Sequence, residues 1–154
     1  MFQIHPLPST DFAFLSALSE EELAARHIKT YVADAKPGFP CRVSLEDAEV
    51  GETVFLLHFE HQPNDTPYRA SHAIFVKADA VSSRPAVDTI PESIASRLLS
   101  VRAFDAEHAI VDAEVIEGRD VEGIIARMFD NPSIDYLHLH YARRGCFAAE
   151  VRRG

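Results

Sequence analysis

The chain has 154 residues, of which 47% are hydrophobic and 25% are charged, which is the composition of an ordinary globular protein. We expect one domain over residues 1–154, with residues 1–11 as a lead-in segment. The formal net charge of −9 argues against nucleic acid and membranes as partners, because phosphate groups bind to basic surfaces. No apolar run approaches the roughly 18 residues of a membrane span, and the N-terminal sequence lacks the features of a signal peptide, so we expect a cytoplasmic protein.

The first half of the chain predicts one short helix and three strands. Ser19 and Glu22 have the spacing of a capping box, which predicts a helix that begins at Ser19 and ends near His27. Residues 53–60 are rich in aromatic and branched side chains, which favour a strand. Two further strands are predicted over residues 28–33 and 73–78, with loops over residues 36–40 and 62–68.

The second half predicts a longer helix between two antiparallel hairpins. Residues 98–104 and 109–116 are predicted strands, and a final hairpin follows Asn131-Pro132. Asp120 stands where it can cap a helix, and Pro91 where it can open a one-turn helix. The apolar residues of the longer helix recur on one face, at Val121, Ile124, Ile125 and Met128.

Many short strands joined by short turns are typical of an antiparallel sheet. We therefore predict an α+β fold, built on a mainly antiparallel β-sheet, open or barrel-like, with two or three short helices. The chain has no unit of strand, glycine-rich turn and helix, so neither a P-loop nor a dinucleotide-binding fold is expected.

The final hairpin carries the densest chemistry, in the run YLHLHYARRGC that ends at Cys146. Successive side chains of a strand alternate between faces, so the length of the turn decides which residues share a face. A three-residue loop over residues 143–145 separates apolar from polar residues cleanly, with Gly145 in the left-handed position. It predicts one polar face that carries His138, His140, Cys146 and Glu150. A two- or four-residue loop would instead place Cys146 beside Leu139.

Two kinds of reactive site are possible on such a face. His138 and His140 form an HxH pair that can hold a metal ion, with Glu150 or another histidine as third ligand. The alternative is a pair of exposed or hydrogen-bonded histidines. Cys146 beside His138 or His140 has the residue types of a cysteine nucleophile and its base, whereas a lone cysteine is more often a small buried thiol. His58 and His61 flank the end of the strand over residues 53–60 and could join a binding site at the loop over residues 67–72, whereas the alternative is simple surface exposure.

Several arginines stand in strands or at their ends, where they can bind an anion. Arg102 lies in the middle of a predicted strand, and an unpaired buried charge is costly, so it needs a defined partner. That partner is either an anionic ligand or one of the 24 acidic residues of the chain. Tyr68 and Arg69 lie in or next to a predicted loop, and loops often carry binding residues. The candidate ligand-binding residues are Arg42, Tyr68, Arg69, Arg102, His138 and His140.

Six short motifs follow one another in a fixed order along the chain, at residues 37–42, 45–48, 67–69, 74–76, 102–105 and 138–147. This ordered set resembles a bacterial family, domain of unknown function 1203. The resemblance extends from about Phe12 to Arg152 and implies a small bacterial single-domain protein, without an activity or catalytic residues to carry over. The chain departs from the family pattern at His72-Ala73, where the family has Gly-Pro.

Three functions remain open at this point. The first is the binding of a small polar or anionic molecule in a pocket lined by arginine and histidine. The second is an enzyme that uses Cys146 with a histidine, for which His138 is the first candidate, or a metal bound by His138 and His140. The third is a protein-interaction domain without a small-molecule site. The sequence identifies no cofactor and no oligomeric state.

Overall fold

The computed structural model describes all 154 residues, which form two compact units. The first unit comprises residues 1–5, 60–72 and 84–154, and the second comprises residues 6–59 and 73–83. A single domain over the whole chain stays a prediction. No helix is long and apolar enough to cross a membrane.

The chain contains eight strands and three α-helices, with 3₁₀ turns at Ser9–Asp11, Ala13–Ala17 and Gly118–Asp120. In chain order the strands are β1 (Phe2–His5), β2 (Lys29–Val32), β3 (Thr53–Gln62), β4 (Ala70–Lys77), β5 (Leu98–Phe104), β6 (Ile110–Glu117), β7 (Tyr136–Tyr141) and β8 (Phe147–Arg153). The helices are α1 (Glu20–Ala25), α2 (Glu92–Ala95) and α3 (Val121–Phe129).

The first unit is built on a five-stranded sheet with the order β1-β8-β7-β5-β6, in which every pairing is antiparallel. Side chains alternate across its strands, so that most side chains on one face of β1, β5, β7 and β8 are apolar and buried. Helix α3 also buries one apolar side, because its hydrophobic residues recur with the helical period. The buried residues that these two elements contribute to the core include Val101, Leu137, Leu139, Val151, Val121, Ile125 and Met128.

A three-stranded sheet with the order β2-β3-β4 accounts for the other strands. The second unit has its own hydrophobic core, in which Leu15, Val43 and Ile74 are almost completely buried. Strands β3 and β4 contribute residues to both units.

The structure confirms the predicted α+β class, the antiparallel sheets and the few short helices. The sheets do not close into a barrel. The Ser19 hydroxyl accepts a hydrogen bond from the Glu22 backbone N–H at 3.1 Å, as the capping box predicts. The side chain of Asp120 makes no such bond at the start of α3. Part of the lead-in segment forms β1, because Phe2 and Ile4 are buried where this strand pairs with β8.

Candidate functional site

The final hairpin has a four-residue loop, so the predicted sharing of one face by Cys146 and the histidines is wrong. The backbone N–H of Tyr141 donates to the Cys146 carbonyl at 2.9 Å, and that of Gly145 donates to the Tyr141 carbonyl at 2.7 Å. Gly145 has the left-handed φ of 80° that this tight loop requires. Tyr141 and Cys146 are therefore opposite each other, on the same side as Leu139.

A β-bulge then restores the register along the rest of the hairpin. His140 is opposite Phe147, whereas Leu139 is opposite Ala149 and His138 is opposite Glu150. The four-residue loop places Phe147 on the histidine side, and one extra residue of β8 then brings Ala149 opposite Leu139. Its ring contacts those of His138 and His140, at centroid distances of 5.1 and 5.8 Å. A catalytic role for Cys146 stays a prediction, but the hairpin does not direct this thiol to the histidine face.

His61, at the end of β3, completes a cluster of three imidazole rings on that face. Its ring centroid lies 4.8 Å from that of His140 and 6.2 Å from that of His138, and the latter two are 6.1 Å apart. His138 is 3% exposed and His140 is fully buried. His58, three residues earlier in the same strand, is exposed and does not belong to the cluster.

The ring nitrogens of this cluster are incompletely hydrogen-bonded. His140 Nδ1 lies 3.0 Å from the Gly145 carbonyl oxygen, and His138 Nε2 lies 3.7 Å from a carboxylate oxygen of Glu150. The other nitrogen of each of these rings is buried without a hydrogen-bond partner, as is Nδ1 of His61. Buried polar atoms are seldom left unpaired, which makes this cluster a candidate functional site.

Burial keeps the three rings neutral. Desolvation, together with nearby positive charge, lowers the pKa of His61 from 6.5 to about 4 and that of His140 to about 2. Desolvation also lowers the pKa of His138, and the Glu150 carboxylate offsets this only in part. All three imidazoles are therefore uncharged at neutral pH.

Arg102 lies beside the cluster, directly opposite His138 on the neighbouring strand. Its Nε donates to the Ser100 hydroxyl at 3.3 Å, which directs the side chain towards the position opposite His140. Its positive charge contributes to the lowered pKa of all three histidines. Burial lowers the pKa of Arg102 itself, and no carboxylate opposes that effect. The guanidinium is thus half-buried without an acidic partner.

A hydrogen-bonded network holds the segment after β3 against the same unit. The Gln62 side-chain amide donates to the Tyr136 hydroxyl at 2.8 Å, and His108 Nδ1 lies 2.8 Å from the same oxygen. The Thr66 hydroxyl donates to the His108 carbonyl at 3.1 Å. This network fixes the chain next to His61 and so positions its ring.

The other predicted binding residues have local partners. Arg69 is exposed and pairs with Glu60 at 3.0 Å, and Tyr68 is also exposed. Arg42 belongs to the second unit, where it is 1% exposed and donates to the Pro40 carbonyl at 2.5 Å. The structure therefore brings together Arg102, His138 and His140 from the predicted set and adds His61.

Two surface cavities lie away from the histidines. One, of about 290 Å³, is in the second unit and is lined by Phe12, Lys77 and Asp79 among others. The other, of about 450 Å³, lies between α3 and the chain termini. As the side chains lie, no group of three or more His, Cys, Asp or Glu residues is arranged to hold a metal ion.

The fold and this site define an α+β protein with a cluster of neutral, buried histidines beside a half-buried arginine. The chain belongs to the family described as "Protein of unknown function (DUF1203)", whose pattern matches residues 38–153. This confirms the resemblance inferred from the motifs. No curated protein and no solved structure shows a significant match to the chain.

Proposed function

We propose that the first unit binds a small anionic molecule at the histidine cluster, with Arg102 as the residue that holds its negative charge. The observation that supports this is the half-buried guanidinium of Arg102, which has no carboxylate partner. Burying a charge without an opposite charge is costly, and the chain has 24 acidic residues that were available to pair with it. An anionic ligand supplies the missing charge.

The residues around Arg102 suit a small ligand. Arg102 and His61 are partly exposed, which lets a molecule approach from solvent, whereas His138 and His140 form a buried floor. The planar guanidinium can donate two parallel hydrogen bonds to a carboxylate or a phosphate. The wider pocket predicted from sequence, with Arg42, Tyr68 and Arg69, stays a prediction, as does a location in the bacterial cytoplasm.

The proposal is tested by calorimetric titration with a panel of anions: acetate, propionate, lactate, succinate, malate, sulfate and hydrogenphosphate. We expect at least one to bind, and Arg102→Gln to weaken that binding by about tenfold or more, the loss of a charge-assisted hydrogen bond. Arg119→Gln is the control, because it removes the same charge from an exposed pair with Glu92. The proposal fails if no anion binds, or if Arg102→Gln binds as well as the wild type.

A second candidate is a transition-metal site formed by His61, His138 and His140. The rings of His140 and His138 already face a backbone carbonyl and a carboxylate, respectively. A metal-bound imidazole usually donates the hydrogen of its other ring nitrogen to a group of this kind. The rings would have to turn for their open nitrogens to converge. Equilibrium dialysis against zinc or nickel, followed by elemental analysis, tests this. We expect His61→Asn to lose the metal and His58→Asn to keep it; a wild-type protein without metal would exclude this candidate.

A further inference from the structure

We infer that the anion bound at this site also carries a hydrogen-bond donor, as a hydroxycarboxylate or hydrogenphosphate does. This inference rests on the proposed function and names the chemical class of its ligand. Its basis is that Nε2 of His140, which is buried without a hydrogen-bond partner, can only accept a hydrogen bond.

The Gly145 carbonyl determines the tautomer of His140. A carbonyl oxygen has no proton to donate, so the 3.0 Å contact requires His140 Nδ1 to carry the hydrogen. Because a neutral imidazole has only one N–H, Nε2 is then a lone-pair acceptor. A second proton on this fully buried ring is unfavourable beside the Arg102 cation.

His138 repeats this arrangement with its nitrogens exchanged. Its Nε2 faces the Glu150 carboxylate. Burial raises the pKa of Glu150, but the neighbouring His138 ring and a hydrogen bond from Arg152 outweigh this effect, so the pKa is lowered and the group is ionised. A carboxylate accepts hydrogen bonds, which places the His138 proton on Nε2 and leaves Nδ1 as an acceptor without a partner.

The floor of the site therefore offers two buried acceptors next to one positive charge. An anion that bears only acceptor oxygens satisfies Arg102 but turns its own lone pairs towards those of His138 and His140. An anion that also has a hydroxyl group or an acidic proton can pair with the Arg102 charge and donate a hydrogen bond to one of these nitrogens. Sites built to pair with a hydroxyl group discriminate strongly against an analogue that lacks it, because their buried polar atoms are left unpaired.

Matched pairs of anions test this in the wild-type protein. Lactate and propionate differ by one hydroxyl group, as do malate and succinate, and hydrogenphosphate carries a proton at neutral pH where sulfate carries none. By calorimetry we expect the member with the donor to bind about 10- to 100-fold more tightly, the effect of one buried acceptor left unpaired. His140→Phe should bring the two affinities of a pair together.

The outcomes separate this inference from the proposed function. If both members of every pair bind equally and depend on Arg102, the inference is wrong and anion binding stands. If none of these anions binds, both are wrong. Long-range ¹H–¹⁵N spectra of the histidine rings give a test that needs no ligand and no variant: a proton found on Nε2 of His140 would overturn the inference.

Discussion

Lowering the pH should destabilise the protein through its buried histidines. The pKa values of His61 and His140 are about 4 and about 2 in the folded chain, against 6.5 for an ordinary histidine. Below pH 6.5 the unfolded chain therefore binds protons that the folded chain does not, so stability is present above this pH and is lost as the pH falls.

The size of the effect follows from these shifts. Each neutral histidine costs at most about 1.4 kcal/mol per pH unit once the unfolded chain is protonated. For His61 this sets an upper bound of about 3 kcal/mol by pH 4, and solvent screening lowers it because the ring is partly exposed. His140 contributes a similar loss over the same interval, and His138 acts in the same direction. Two such losses are comparable with the whole stability of a typical domain, about 5–15 kcal/mol.

Urea unfolding between about pH 8 and pH 4.5, in the presence of a chelator, measures this dependence. Circular dichroism is the suitable signal, because the chain has no tryptophan. The slope of the unfolding free energy against pH reports how many more protons the unfolded chain binds than the folded chain. His61→Asn should lower this number by nearly one, whereas His58→Asn, on the exposed side of the same strand, should leave it unchanged. Equal slopes for the wild type and His61→Asn would refute the reasoning.

Two substitutions test the supports of the site and of the fold. Tyr136→Phe removes a hydroxyl that is bonded to Gln62 and His108, so we expect a loss of about 1–3 kcal/mol in urea unfolding at neutral pH, and an unchanged stability would contradict this role. Ser19→Ala removes the cap of α1 and should cost about 1 kcal/mol, whereas Ser19→Asp should restore most of it, as measured by thermal unfolding.

The local pattern of the sequence predicted most of the elements. The bounds of β5 agree with those predicted, and the capping box of Ser19 and Glu22 begins α1 as expected. These features depend on residues close together in the chain, namely side-chain alternation and a hydrogen bond over three positions. Strand β1 was missed, because its four residues become a strand only by pairing with β8.

The candidate site depended on contacts that no local pattern contains. The hydrogen bonds of the loop at Gly145 decided which side of the hairpin carries Cys146 and Phe147, since a shift of one residue reverses a strand's faces. Folding brought His61 to His138 and His140 from a distant strand. The sequence by itself determined the reactive residue types and the strands that carry them. Only the tertiary structure decided that Arg102 is half-buried without a carboxylate partner, because burial and pairing are properties of the packed chain.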